Sequence, residues 1–184
     1  MKSFMGKSLF ALLLVFGTSA TSDEVPEFPK PEKEHQWLQR LVGEWEYEAE
    51  MFMKDKPPVK AKGEDHVRSL GGFWILSEQK SEMFGVPFTG LMTLGYDASK
   101  KKFVGTWVDS MSGNLWNYQG TLDAGGKVLT LETEGFCPAE PGRISAFKEV
   151  IEVKDDNHRV FTSSVQGSDG QWTTMVKLEF QRKK

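Results

Sequence analysis

From residue 43 onward the chain alternates with a period of two. In the stretch LVGEWEYEAEM, Glu44, Glu46, Glu48 and Glu50 fall on one parity, and Trp45, Tyr47, Ala49 and Met51 fall on the other. Successive side chains of a strand point to opposite faces, so this pattern predicts a strand with one wet and one dry face. Comparable rows recur. Phe88, Gly90, Met92, Leu94 and Tyr96 share a parity, as do Phe103, Gly105 and Trp107, and Trp116, Tyr118 and Leu122. The last row is Trp172, Thr174, Val176, Leu178 and Phe180, set against Thr173, Lys177 and Glu179. Clusters of Gly, Pro, Asp, Asn and Ser separate the rows and read as turns.

These runs predict about ten strands of roughly 6 to 10 residues in an antiparallel meander. No helical stretch is long enough to serve as a parallel crossover. A sheet with one apolar face must cover it, and closing onto itself also removes its exposed edges. The expected fold is therefore all-β: an antiparallel up-and-down barrel of about ten strands with a short N-terminal helix. A barrel of that size can enclose a small ligand. A β-sandwich is the alternative, since period-two patterning alone fits both. The helix is expected within EKEHQWLQRLVG, where Trp37, Leu38 and Leu41 recur at helical spacing and Gly43 ends the turn.

The N-terminus reads differently. Lys2 and Lys7 precede an apolar run from Leu9 to Phe16, and Thr18-x-Ala20 supplies small residues for cleavage. That is the plan of a secretory signal, and the run is well short of the ~20 residues of a membrane span. The expected organisation is a signal over 1–20, a Pro-rich linker over 21–33 carrying Pro26, Pro29 and Pro31, and one barrel domain over 34–184. An exported protein, periplasmic or secreted, follows, with no membrane span in the mature chain. The whole chain has a net charge of −3, and loss of Lys2 and Lys7 makes the mature chain more acidic. With no basic patch, nucleic acid is not an expected partner. Cys137 is the only cysteine, so no internal disulfide can form, and packing is its expected role. Oligomeric state is left open.

Gly43-Glu44-Trp45, at the start of the first strand and after a helical turn, resembles the calycin superfamily of lipocalins and fatty-acid-binding proteins. The resemblance implies that Trp45 closes one end of the barrel and that Arg182, from the last strand, packs across it. The spread of WLQRLVGEW, SLGGFWI, LGYDASKKKFVGTWVDSM and YQGTLD is similar to domain-of-unknown-function family 1579, an exported bacterial family, over roughly residues 30 to 182. That family is calycin-like and brings no activity with it. The second and third lipocalin motifs are absent.

No Gly-rich loop leads into a helix, and His35, His66 and His158 show no metal-ligand spacing, so neither nucleotide, metal nor other cofactor is expected. His66 reads as a hydrogen-bonded structural residue, with a haem ligand as its rival reading. No serine lies in a strand–turn–helix setting that would mark a nucleophile. Three acids break the alternation. Asp109 shares the parity of Trp107, Glu149 lies between Phe147 and Ile151, and Asp65 precedes Val67. A buried carboxylate is costly unless paired, and such groups collect at functional sites. The rival readings are a turn cap for Asp109, a bulge turning Glu149 outward, and for Asp65 a pair with Arg68 or exposure. The sequence thus points to a binding protein for a small, largely apolar ligand, leaning away from an enzyme. Its candidate binding residues are Phe88, Tyr96, Trp107, Asp109, Trp116, Tyr118 and Glu149. A cavity enzyme using Asp109 and Glu149 as acid and base, or a ligand-free module of the cell envelope, are the alternatives.

Overall fold

The alternating rows close into one ring of strands. The computed structural model describes residues 28–137 and 142–184; the expected signal and most of the expected linker lie outside the described residues. Helix α1 (Lys33–Gln39) leads into β1 (Gly43–Met51), β2 (Val59–Leu70), β3 (Trp74–Met83), β4 (Val86–Asp97) and β5 (Lys102–Asp109). The second half comprises β6 (Trp116–Leu122), β7 (Val128–Phe136), β8 (Ile144–Val153), β9 (His158–Gln166) and β10 (Trp172–Arg182). Each strand pairs antiparallel with the next, and β10 pairs with β1 from Trp45↔Arg182 to Met51↔Val176. Every strand has a neighbour on both sides, which sets the sandwich aside. The protein is an up-and-down, calycin-like barrel.

The opening strand shows how the pattern is used. Trp45, Tyr47, Ala49 and Met51 are buried inside, while Glu44, Glu46 and Glu48 are exposed outside. The outward acids meet cations of β2: Glu48 lies 2.7 Å from Lys62, Glu50 lies 3.0 Å from Lys60, and Glu44 contacts His66. Water screens such exposed pairs, so the inward face dominates the energetics.

Helix α1 plugs one end. Leu38 and Leu41 are fully buried in the barrel core, and the Trp37 Nε1–H donates to the Gly126 carbonyl at 2.9 Å. His35 Nδ1 accepts from the Glu32 N–H at 2.9 Å, so the ring proton sits on Nε2 and is donated to the Tyr96 carbonyl at 3.1 Å. Below the plug the interior is solid, filled by Trp45, Leu94, Phe103, Leu129, Leu131 and Phe180.

Arg182 fastens this end. Its guanidinium stacks over Trp45 at 4.1 Å and donates to the carbonyls of Arg40, Val42 and Asp156. It thereby satisfies carbonyls just past the end of α1. Gly43, at φ 139°, leaves the room the guanidinium needs, since a Cβ there would overlap Arg182 Nη1. A second arginine was not anticipated from sequence. Arg159 on β9 stacks on Trp45 and on Phe180, and its Nη2 donates to Asp65 Oδ2 at 2.5 Å. Asp65, which is 1% exposed, also accepts from Ser77 Oγ at 2.6 Å. The partner of Asp65 is thus Arg159, not Arg68.

One row departs from expectation. β10 carries a bulge between Thr174 and Val176, and Met175 is the extra residue. A bulge inverts parity beyond it. Val176, Leu178 and Phe180 keep the inward parity, whereas Trp172 turns outward, where Lys148 Nζ sits 4.3 Å from its ring centroid.

Two outcomes test this packing. Gly120→Ala would drive a Cβ into the Thr130 carbonyl of β7, whereas Gly113 has open space around it. Urea unfolding should show Gly120→Ala destabilised by at least ~1–3 kcal/mol and Gly113→Ala nearly unchanged. Asp65→Asn, which leaves Arg159 charged and buried without its counter-ion, should cost ~3–5 kcal/mol. The double change Asp65→Leu, Arg159→Met should cost clearly less than the sum of the single changes, and additive losses would show that the two groups are not coupled.

Candidate functional site

The half of the barrel away from α1 is hollow. β5 turns Phe103, Gly105, Trp107 and Asp109 inward in order, so the first residue lies in the packed core and the last two line a cavity. β6 adds Trp116 and Tyr118, β8 adds Phe147 and Glu149, and β9 adds Phe161 and Ser163. The cavity measures about 270 Å³. That is just under the ~300 Å³ at which the usual range for small-molecule sites begins.

Glycines make room for the large rings. A Cβ at Gly90 would overlap the Trp107 indole, and one at Gly135 would overlap that of Trp116. Phe88 stacks on Trp107 with centroids 6.3 Å apart, and Trp116 meets Phe147 edge-on at 4.9 Å. The indoles are therefore held in position by neighbouring backbone and rings.

Asp109 does two jobs. Its Oδ2 accepts from the Trp107 Nε1–H at 3.0 Å, and its Oδ1 accepts from the Met111 N–H at 2.9 Å. It thus caps the turn after β5 while lining the cavity. Glu149 differs. β8 alternates without a bulge from Ser145 to Val153, and Glu149 points inward at 5% exposure. Its Oε1 accepts from Ser163 Oγ at 3.0 Å, and its Oε2 has no hydrogen-bond partner. Burial pushes the Glu149 carboxyl up to about 8, with the Ser163 hydrogen bond opposing part of that shift. Burial also raises the Tyr118 phenol, and the charges of Glu149 and Asp109 push in the same direction.

Of the residues singled out from sequence, Phe88, Trp107, Asp109, Trp116, Tyr118 and Glu149 line this one cavity. Tyr96 does not. It sits at the plugged end, 5.2 Å from Phe103 and 5.6 Å from His35 between ring centroids. Phe88 and Tyr96 share a face of β4 but are eight residues apart, ~26 Å along a strand. His66 lies on the outer surface beside Glu44 and takes no part in the cavity, which removes the basis for reading it as a haem ligand. His158 pairs with Asp155 at 2.9 Å in the preceding turn. Among the described residues no group of three His, Cys, Asp or Glu side chains could hold a metal. Cys137 is buried against Phe147 and Val165.

Sequence reading missed Gln79, Ser81, Phe147, Phe161 and Ser163 as cavity residues. Phe147 was within reach, since it shares the parity of Glu149. Ser163 was not, because a serine on an inward parity carries no distinguishing signal.

The ionisation of Glu149 has a stability consequence. Its folded value lies above the ordinary 4.5, so the folded state holds the proton more tightly than the unfolded chain does. This contribution is complete below the ordinary value and is lost as pH rises to about 8. Glu149→Gln cannot ionise. Its stability relative to wild type should therefore rise across that window, by at most ~1.4 kcal/mol per pH unit, in urea titrations at stepped pH. Parallel curves for the two proteins would contradict a buried, neutral Glu149.

No helix among the described residues is long and apolar enough to cross a membrane. A comparison with curated proteins returned no match. Among solved structures, the chain is similar to Rv2717c from M. tuberculosis, with 15% identity and a TM-score of 0.64 over 84% of this chain and all of that one. It is also similar to the S-type phycobiliprotein lyase CPES from Guillardia theta, with 13% identity and a TM-score of 0.54 over 84% of this chain and 99% of that one. At such identities these likenesses speak for the fold alone. The sequence profile of the family described as "Protein of unknown function (DUF1579)" matches residues 30–182, and the chain belongs to that family.

Proposed function

We propose that this is an exported binding protein that holds one small, largely apolar molecule in the hollow half of its barrel. One observation carries the reading: an aromatic-walled cavity of about 270 Å³ persists in an interior whose other half is packed solid. Protein interiors keep few spaces larger than a water molecule, and an apolar pocket with a few convergent polar groups is the usual form of a small-molecule site. The wall supplies apolar area through Phe88, Trp107, Trp116 and Phe161, and a few polar groups for orientation through Gln79, Ser81, Tyr118 and Glu149.

A second reading, a cavity enzyme using Asp109 and Glu149 as acid and base, has one observation in its favour. Glu149 is pushed to about 8, a value suited to proton transfer near neutrality. Asp109 weakens it, because both of its oxygens are already engaged, by Trp107 and by the Met111 N–H.

Native mass spectrometry of the protein purified from an exporting host reads two quantities at once. The chain mass should match cleavage after Ala20, and a bound small molecule should add to it. Octanol titrated into the emptied barrel should shift the tryptophan emission, since two indoles line the cavity. Ala61→Phe, which fills the cavity from β2, should weaken octanol binding at least tenfold while the barrel stays folded. A barrel that always flies empty, with an emission that octanol does not move, would end the reading.

A further inference from the structure

The cavity wall is chemically one-sided. Its lining contains two carboxyl groups, Asp109 and Glu149, and no lysine, arginine or histidine. Asp109 spends both oxygens on protein donors. Glu149 spends only one, and its Oε2 is buried with no partner. A buried carboxyl oxygen without a partner is destabilising whether it holds the proton or the charge. The lining also holds the rings of Phe88, Trp107, Trp116, Tyr118, Phe147 and Phe161, aromatic groups whose π-systems attract cations.

Three ligand classes meet this wall differently. A carboxylate would face two acids and no counter-ion. A purely apolar molecule would leave Oε2 unpaired. A protonated amine would displace the Glu149 proton, donate to the carboxylate oxygen so exposed, neutralise the charge that forms there and lie against the aromatic rings. We propose that the cavity recognises an apolar primary amine, whose ammonium donates to Glu149 Oε2 while its hydrocarbon part lies against the aromatic wall. The proposal rests on the binding reading above and adds the ligand's chemical class to it.

The proton balance follows from the same contact. In the empty protein Glu149 is largely protonated at neutral pH. An alkylammonium keeps its own proton up to ~10. Forming the ion pair therefore releases the Glu149 proton to solvent, and one N–H···O contact takes its place. Tyr118 on β6, Asp109 on β5 and Tyr47 on β1 are the other titratable groups lining the cavity. The strands flanking β8 face Glu149 with Leu131 on β7 and Ser163 on β9, neither of which titrates.

Three eight-carbon probes, octylamine, octanol and octanoate, separate the possibilities by calorimetry and tryptophan fluorescence. At pH 8 octylamine should bind most tightly and octanoate most weakly. Octylamine affinity should rise more than tenfold between pH 6 and pH 8, while octanol affinity stays level. At pH 7, titrations in two buffers of different ionisation heat should show close to one proton released per octylamine bound. Glu149→Gln should lose both the pH step and the amine preference and keep octanol. Octanol or octanoate matching octylamine in the wild type, no proton release, or an amine preference that survives Glu149→Gln would each overturn the amine assignment while leaving a binding barrel in place. A barrel that takes none of the three would overturn both.

Discussion

The structure depends on one closure, the ladder that returns β10 to β1. A meander with one apolar face is unstable as an open sheet, because both its edges and that face would meet water. Here the last strand lands on the first in a register that puts Arg182 opposite Trp45. The seam is reinforced by side chains of opposite character. Trp45 packs against two guanidinium groups, Arg182 and Arg159, and Asp65 neutralises the buried one. The glycine before this tryptophan has a physical reason as well, since only a residue without a side chain leaves space for Arg182.

The closed ring then divides its interior. Where α1 and the arginines sit, large apolar side chains meet and leave no room. Beyond them, the rings of Trp107 and Trp116 lie across Gly90 and Gly135 of neighbouring strands. Rings laid against the wall thicken the wall and leave the axis empty. That arrangement accounts for a cavity in a protein so rich in aromatic residues. It also accounts for the raised value of Glu149, whose carboxyl is buried with a single hydrogen bond to hold its charge.

Much of the site was legible in outline. Parity along β5, β6 and β8 placed Trp107, Trp116, Tyr118 and Glu149 on the inner face, and the structure brings them to one cavity. Parity failed in two ways. It reports a face and not a depth, so Tyr96 shared a row with Phe88 and ended at the opposite end of the barrel. It also assumes an unbroken ladder, so a single extra residue, Met175, sent Trp172 to the surface. Asp109 showed a third limit, since the turn cap and the inward acid proved to be the same carboxylate using different oxygens.

The sequence by itself determined the strand pattern, the faces of those strands and the need for closure, because each follows from neighbours two residues apart on one chain. Only the tertiary structure decided which buried charges pair and which do not. Asp65 met Arg159 across 94 positions of sequence, while Glu149 found only Ser163 and kept one oxygen free. Pairing of that kind depends on barrel register and on the height of each residue along the axis. Those quantities are set by all ten strands together, and no local stretch of sequence encodes them.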